Sequence, residues 1–179
     1  MTNDLLIRKY FRRFATLDSR NLGFVQRQDY ENAARRICEA SDVAFHTGPG
    51  QSLVQAYGES FDHLARNGGR DPQISRQTFV QAMLGGLAGK PKSFERNMAP
   101  IGHLIFNVCS NETGESLGEA EFCRFLSGYR VPEVEAREAF MHLAPAQQGL
   151  SREKFIEHSR DFYCSRDEKA PGNWMFGPY

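Results

Sequence analysis

Four times along the chain an apolar residue is followed, five positions later, by an aromatic one: Val25 and Tyr30, Ile74 and Phe79, Leu117 and Phe122, Leu150 and Phe155. Each pair closes a connection of about a dozen residues between two segments of helical periodicity, so the repeat is a helix–loop–helix unit. The stripes that define the helices are apolar at i, i+3, i+4 and i+7 spacing. They run Ile7, Tyr10, Phe11, Phe14, Leu17; Tyr30, Ala33, Ala34, Ile37; Leu53, Val54, Tyr57, Phe61, Leu64; and Phe79, Val80, Met83, Leu84. The second half repeats the theme with Met98, Ile101, Ile105, Val108; Phe122, Phe125, Leu126; Val134, Phe140, Leu143; and Phe155, Ile156, Phe162, Tyr163. Eight helical segments in four pairs follow, and the fold class is all-α. The first stripe leaves Arg8, Lys9, Arg12 and Arg13 outside it, which reads as a solvated basic face.

Breakers divide the chain. Gly85-Gly86-Leu87-Ala88-Gly89-Lys90-Pro91 reads as a hinge, giving an N-terminal pair of units over 1–89 and a C-terminal pair over 90–179. Pro100 interrupts the fifth stripe and should start or kink that helix. His46-Thr47-Gly48-Pro49-Gly50 reads as a further loop. With 179 residues and 14 Phe, the two pairs have enough apolar side chains for one compact globule.

Lys plus Arg and Asp plus Glu both number 22, and the net charge is zero. This argues against a nucleic-acid partner, which selects a basic excess, and against a high-capacity calcium buffer, which selects an acidic one. No apolar run approaches the ~20 residues that cross a bilayer, so no membrane partner is expected. Met1–Leu6 carries no secretory signal pattern. Cys38, Cys109, Cys123 and Cys164 form no CxxC pair and read as reduced, mostly buried thiols of a cytoplasmic protein.

The loop spacing resembles that of the EF-hand, whose twelve-residue loop places oxygen ligands at positions 1, 3, 5 and 12, Gly at 6 and an apolar residue at 8. Val25, Ile74, Leu117 and Leu150 take position 8, and paired loops should meet there in a short antiparallel contact. The ligand positions have diverged. Loop one, Asp18 to Asp29, keeps Asp18 at 1, Gly23 at 6 and Asp29 at 12, but Arg20 and Leu22 replace oxygen donors. A guanidinium about 4 Å from a divalent ion costs roughly 8 kcal/mol at an effective dielectric of ~20, so Arg20 would have to swing away. Loop two, Asn67 to Thr78, has Pro72 where the turn needs φ > 0. Loop three, Ser110 to Glu121, keeps Ser110, Glu112 and Glu121 at 1, 3 and 12, but has Gly114 at 5 and Glu115 at 6. Loop four, Leu143 to Lys154, passes through Ala144, Pro145, Ala146 and Gln147 and ends on an ammonium. Any metal site is therefore weak and vestigial, confined to Asp18, Asp29, Ser110, Glu112 and Glu121, and no other cofactor is expected.

The C-terminal segment Phe162-Tyr163-Cys164-Ser165, Asp167, and Ala170-Pro171-Gly172-Asn173-Trp174-Met175-Phe176-Gly177-Pro178 closely resembles the tail of sarcoplasmic calcium-binding proteins and their bacterial relatives of the calerythrin type. The resemblance implies two EF-hand pairs packed around an apolar interior. Photoproteins and luciferin-binding proteins of the same superfamily enclose an apolar ligand there. Their last helix carries a His followed four residues later by an aromatic, as His158 and Phe162 stand here. Their Trp is Phe162 in this chain, so light emission is not implied.

His63, His103 and His142 each lie two residues past a core position and point away from the apolar stripes. His158, three after Phe155 and four before Phe162, lies on a stripe. It reads either as a hydrogen-bonded core histidine or as a catalytic acid/base in a cavity. Candidate ligand-binding residues are Phe14, Tyr57, Phe61, Met83, Ile105, Phe140, Phe162, Trp174, Phe176 and Tyr179, the last three as a lid or seal. Three functions stay open: a binder of an apolar small molecule or partner peptide, a cofactor-free enzyme acting on an apolar intermediate through His158, and a weak calcium sensor using loops one and three.

Overall fold

The computed structural model describes residues 3–67, 71–110, 114–145 and 148–179, with the backbone alone at Asn67. In chain order the elements are α1 (Asp4–Leu17), β1 (Phe24–Val25), α2 (Arg27–Ala40), α3 (Gly48–Asn67), β2 (Ile74–Ser75), α4 (Arg76–Gly86), α5 (Pro91–Asn97), α6 (Ala99–Cys109), β3 (Ser116–Leu117), α7 (Glu119–Ser127), α8 (Glu133–Leu143), β4 (Leu150–Ser151) and α9 (Arg152–Cys164), followed by a 3-10 turn at Pro171–Trp174. The four apolar residues at loop position 8 meet as the periodicity requires. β1 pairs antiparallel with β2, placing Val25 opposite Ile74, and β3 pairs with β4, placing Leu117 opposite Leu150.

The residue after each position 8 starts the following helix. Ser75 and Ser151 accept hydrogen bonds from the backbone N–H of Thr78 and Lys154 at 3.2 and 3.3 Å, a cap worth about 1 kcal/mol. In loop one a capping box does the same work, with the Asp29 carboxylate accepting from the Gln26 N–H at 2.9 Å. Position 12 thus serves the helix start in these loops.

Helices of the first half of the chain pack on those of the second, α1 on α9, α2 on α7 and α3 on α6, while α1 also packs on α4 and α2 on α3. One continuous core runs from Leu6 through Phe79, Phe106 and Phe125 to Phe176. At Gly128, the end of α7 comes so close to α2 that a Cβ would lie 2.3 Å from Ile37 Cγ1 and 2.9 Å from the Ile37 nitrogen.

Several local expectations change. The fifth helix is two, α5 and α6, broken at Met98, because Pro100 sits in the first turn of α6 and cannot continue an earlier helix. Nine helices therefore stand among the described residues instead of eight. Gly48-Pro49-Gly50 opens α3 rather than forming a loop. Phe11 and Val134, placed on apolar stripes, are exposed. The largest change is on α1. Its buried face is Leu6, Lys9, Tyr10, Arg13, Phe14 and Leu17, so two of the four residues of the expected solvated face, Lys9 at 0% and Arg13 at 6% exposure, lie inside. The cause is the C-terminal tail, which returns to cover a second side of this helix.

Candidate functional site: a cavity between the halves

The tail is fastened by the basic residues of α1. Lys9 Nζ donates to the carbonyls of Asp161 and Ser165 at 3.0 and 2.9 Å and to Asn173 Oδ1 at 3.0 Å. Asn173 in turn donates to the carbonyls of Asp167 and Glu168. Arg12 Nε donates to the Phe176 carbonyl at 2.8 Å and its guanidinium pairs with Glu135. A Cβ at Gly172 would meet the His158 carbonyl oxygen at 2.5 Å, so the tail rests directly on the α9 backbone. Burial pulls the Lys9 ammonium down from 10.5 to about 8, against the opposing charge of Asp161. Between those values the unfolded chain binds more protons than the folded one, so the Lys9 contribution to stability should rise with pH. Urea titrations should show the unfolding free energy of the wild type increasing relative to Lys9→Met between pH 8 and 10.5. A pH-independent difference would mean that the ammonium is not desolvated.

Between the halves lies a cavity of about 100 Å³. Its mouth is formed by half-buried or exposed residues of α3 (Ser60, His63), α4 (Ala82, Gly86), α5 (Ser93, Asn97) and the break at Met98. Leu64, Phe79, Met83, Ile101 and Ile105 form its walls. The floor is buried and polar: Arg13 from α1, Tyr30 from α2, Tyr57 from α3, Tyr129 after α7 and Tyr163 from α9, with Phe176 of the tail beside them. Arg13 Nε donates to the Tyr163 hydroxyl at 3.0 Å, one terminal nitrogen to Thr16 Oγ1 at 3.1 Å and the other to the Tyr129 hydroxyl at 3.3 Å. Its guanidinium carbon stands 4.4 and 4.6 Å from the ring centroids of Tyr129 and Phe176. The Tyr57 and Tyr129 hydroxyls are hydrogen-bonded to each other. Burial raises the pKa of Tyr30, Tyr57 and Tyr163, so these phenols are neutral at physiological pH.

Of the residues singled out in the sequence, Tyr57, Met83, Ile105 and Phe176 line this cavity. Phe14, Phe61, Phe140 and Phe162 are core residues behind it. Trp174 and Tyr179 do not line it either. Trp174 stacks on His142, 3.8 Å between centroids and 10° between planes, and Tyr179 packs edge-on against Trp174. The tail therefore inserts one ring, Phe176, and leaves the other two outside. His158 is displaced from the cavity by one residue: its neighbour Ser159 and Tyr163, one turn on, line the cavity. The imidazole Nε2 instead meets the Leu143 carbonyl at 3.1 Å, and Nδ1 is buried without a partner among the described residues. Burial lowers its pKa, so the ring is neutral. This is the geometry of a core histidine. The ring is not part of the cavity lining, because α9 turns the side chain toward the end of α8. Arg13, Tyr30, Tyr129 and Tyr163 were missed as site residues. A continuous buried face Leu6, Lys9/Tyr10, Arg13/Phe14, Leu17 at three- and four-residue steps was the available signal for Arg13.

In loop one the Asp18 carboxylate accepts from the backbone N–H of Leu22 and Gly23, both at 2.8 Å. Arg20 turns toward the end of the loop. Its terminal nitrogen lies 3.0 and 3.3 Å from the two carboxylate oxygens of Asp29. In loop three Glu121 pairs with Arg124 at 2.7 Å and Ser110 ends α6, while Glu112 lies outside the described residues. Among the described residues no group of three His, Cys, Asp or Glu side chains could hold a metal ion. The cysteines are all free, with Cys38 and Cys109 buried and Cys123 and Cys164 half-buried.

No family model matches the chain. It is 26% identical to calerythrin of Saccharopolyspora erythraea over 170 residues, covering 93% of this chain and 96% of that protein. A calcium-binding protein of Streptomyces coelicolor, solved as a basis for prokaryotic calcium-mediated regulation, superposes with a TM-score of 0.75 at 25% identity, over 88% of this chain and 97% of the other. The coelenterazine-binding protein of Renilla muelleri, in its calcium-loaded apo form, superposes with a TM-score of 0.74 at 22% identity over the full length of both chains.

Proposed function

We propose that this chain, an EF-hand protein related to calerythrin, works through its interior: it binds a hydrophobic small molecule between an N-terminal pair of units, 1–89, and a C-terminal pair, 90–179, and has largely lost calcium binding. The observation that carries the reading is the cavity. It opens between α3, α4 and the α5–α6 break, and apolar side chains wall it. A well-packed core has few voids larger than a water molecule, and a cavity of about 100 Å³ is well above that size. A protein of the same fold, from Renilla muelleri, is named for coelenterazine binding. Loop one supports the second half of the reading, since the Arg20 guanidinium neutralises the Asp29 carboxylate that a calcium ion would need. Among the described residues no helix is long and apolar enough to cross a membrane.

An uncharged fluorescent probe, N-phenyl-naphthylamine, tests the cavity directly. Its emission should rise on addition to the purified protein, and Ile105→Trp, which fills the wall, should abolish the rise. No enhancement with the wild type, or equal enhancement with the filled variant, would exclude the reading.

A further inference from the structure

The floor of the cavity carries an uncompensated positive charge. Arginine is cationic at any physiological pH, and it is almost never fully buried unless paired. Yet none of the ion pairs among the described residues includes Arg13. Its surroundings are tyrosine side chains, the Phe176 ring and a threonine hydroxyl. A guanidinium has five N–H donors, and the three hydrogen bonds to Tyr163, Thr16 and Tyr129 leave two. Arg13 also lines the cavity that a ligand would enter. Tyr30 and Tyr57 line the same cavity, and a tyrosine hydroxyl is a group that can donate to an oxyanion. A cation with free donors, ringed by phenols, at the closed end of an apolar pocket is a receptor for a small anionic group attached to an apolar body.

Resting on the proposed interior binding site, we propose that its ligand is an apolar monocarboxylic acid, bound with the carboxylate on Arg13 at the floor and the hydrocarbon toward the mouth at Met98. The carboxylate supplies the counter-charge that no described residue provides, and its two oxygens match the fork of the guanidinium. The apolar body meets Met83, Ile101 and Ile105 on its way out. A neutral ligand would leave the Arg13 charge unpaired, and an amine would add a second cation beside it.

Calorimetric titration of the wild-type protein with octanoate, n-octanol and octylamine decides the matter. Octanoate should bind about tenfold or more tighter than n-octanol, the margin of a charge-assisted hydrogen bond over a neutral one, and octylamine should not bind. Arg13→Met should bring octanoate to the level of n-octanol, and Arg13→Lys should keep part of the preference. Equal affinities for octanoate and n-octanol in the wild type would overturn the carboxylate assignment and leave the apolar site standing. Binding of neither would overturn both. A preference that survives Arg13→Met would place the anion elsewhere and also overturn it. Should Arg13→Met fail to fold, the wild-type comparison still decides.

Discussion

Phe176→Ala should lower the unfolding free energy by about 3–5 kcal/mol, the usual loss for truncating a buried phenylalanine, and the melting temperature by roughly 10 °C. The ring is 4% exposed and is held on all sides. Phe162 lies 4.8 Å away between centroids, Tyr129 5.6 Å, Tyr163 5.9 Å and Phe125 6.0 Å, with the Arg13 guanidinium over its face. No neighbouring backbone can collapse into the space, because α7, α9 and α1 are each fixed by other partners. The loss also removes the wall against which Arg13 rests, so the floor of the cavity should loosen with it. The chain has a single tryptophan, Trp174, and its stacking on His142 makes its fluorescence a local report on the tail. That signal should change at lower denaturant in the variant, together with the far-ultraviolet signal of the helices. A loss below about 1 kcal/mol would mean that the tail is an appendage and not part of the core.

Arg20→Asp combined with Leu22→Asn should raise the calcium affinity of loop one by about a thousandfold. The exchange replaces a guanidinium with a carboxylate at position 3 and supplies an oxygen at position 5, leaving Asp18 and Asp29 in place. Even half of the roughly 8 kcal/mol repulsion between the guanidinium and the ion corresponds to about three powers of ten in affinity. Freeing Asp29 matters as much as adding ligands, because Arg20 holds both of its oxygens. Gly23, with φ of +80°, already provides the turn that the loop needs. Calorimetry with calcium at millimolar concentration should give weak heat or none for the wild type and a clear isotherm for the double variant. Tight binding by the wild-type loop would show that Arg20 yields to the ion.

Much of the architecture was legible before any coordinates. Val25, Ile74, Leu117 and Leu150 could be assigned to paired loops because each must bury one apolar side chain at the same point of a repeated turn. The helices followed from periodicity, and Pro100 announced the break at Met98. The divergence of the loop ligands was also readable residue by residue, although the sequence could not say that Arg20 would settle on Asp29. The site was less legible. Of ten apolar candidates four line the cavity, because a stripe says which face is buried and not what lies against it. His158 illustrates the same limit: helical phase placed it inside, correctly, but one residue of rotation separates the cavity wall from the contact with Leu143.

By itself the sequence determined what depends on neighbours along the chain: four helix–loop–helix units, their paired loops and the loss of ligand oxygens. Only the tertiary structure decided what happens to Lys9 and Arg13. Charged side chains on an isolated amphipathic helix belong to water, and the local apolar steps from Leu6 to Leu17 do not say what would cover them. They are buried because Asn173 and Phe176, more than 150 residues away, return to lie on α1. That return turns one cation into the clasp of the tail and the other into the floor of the cavity.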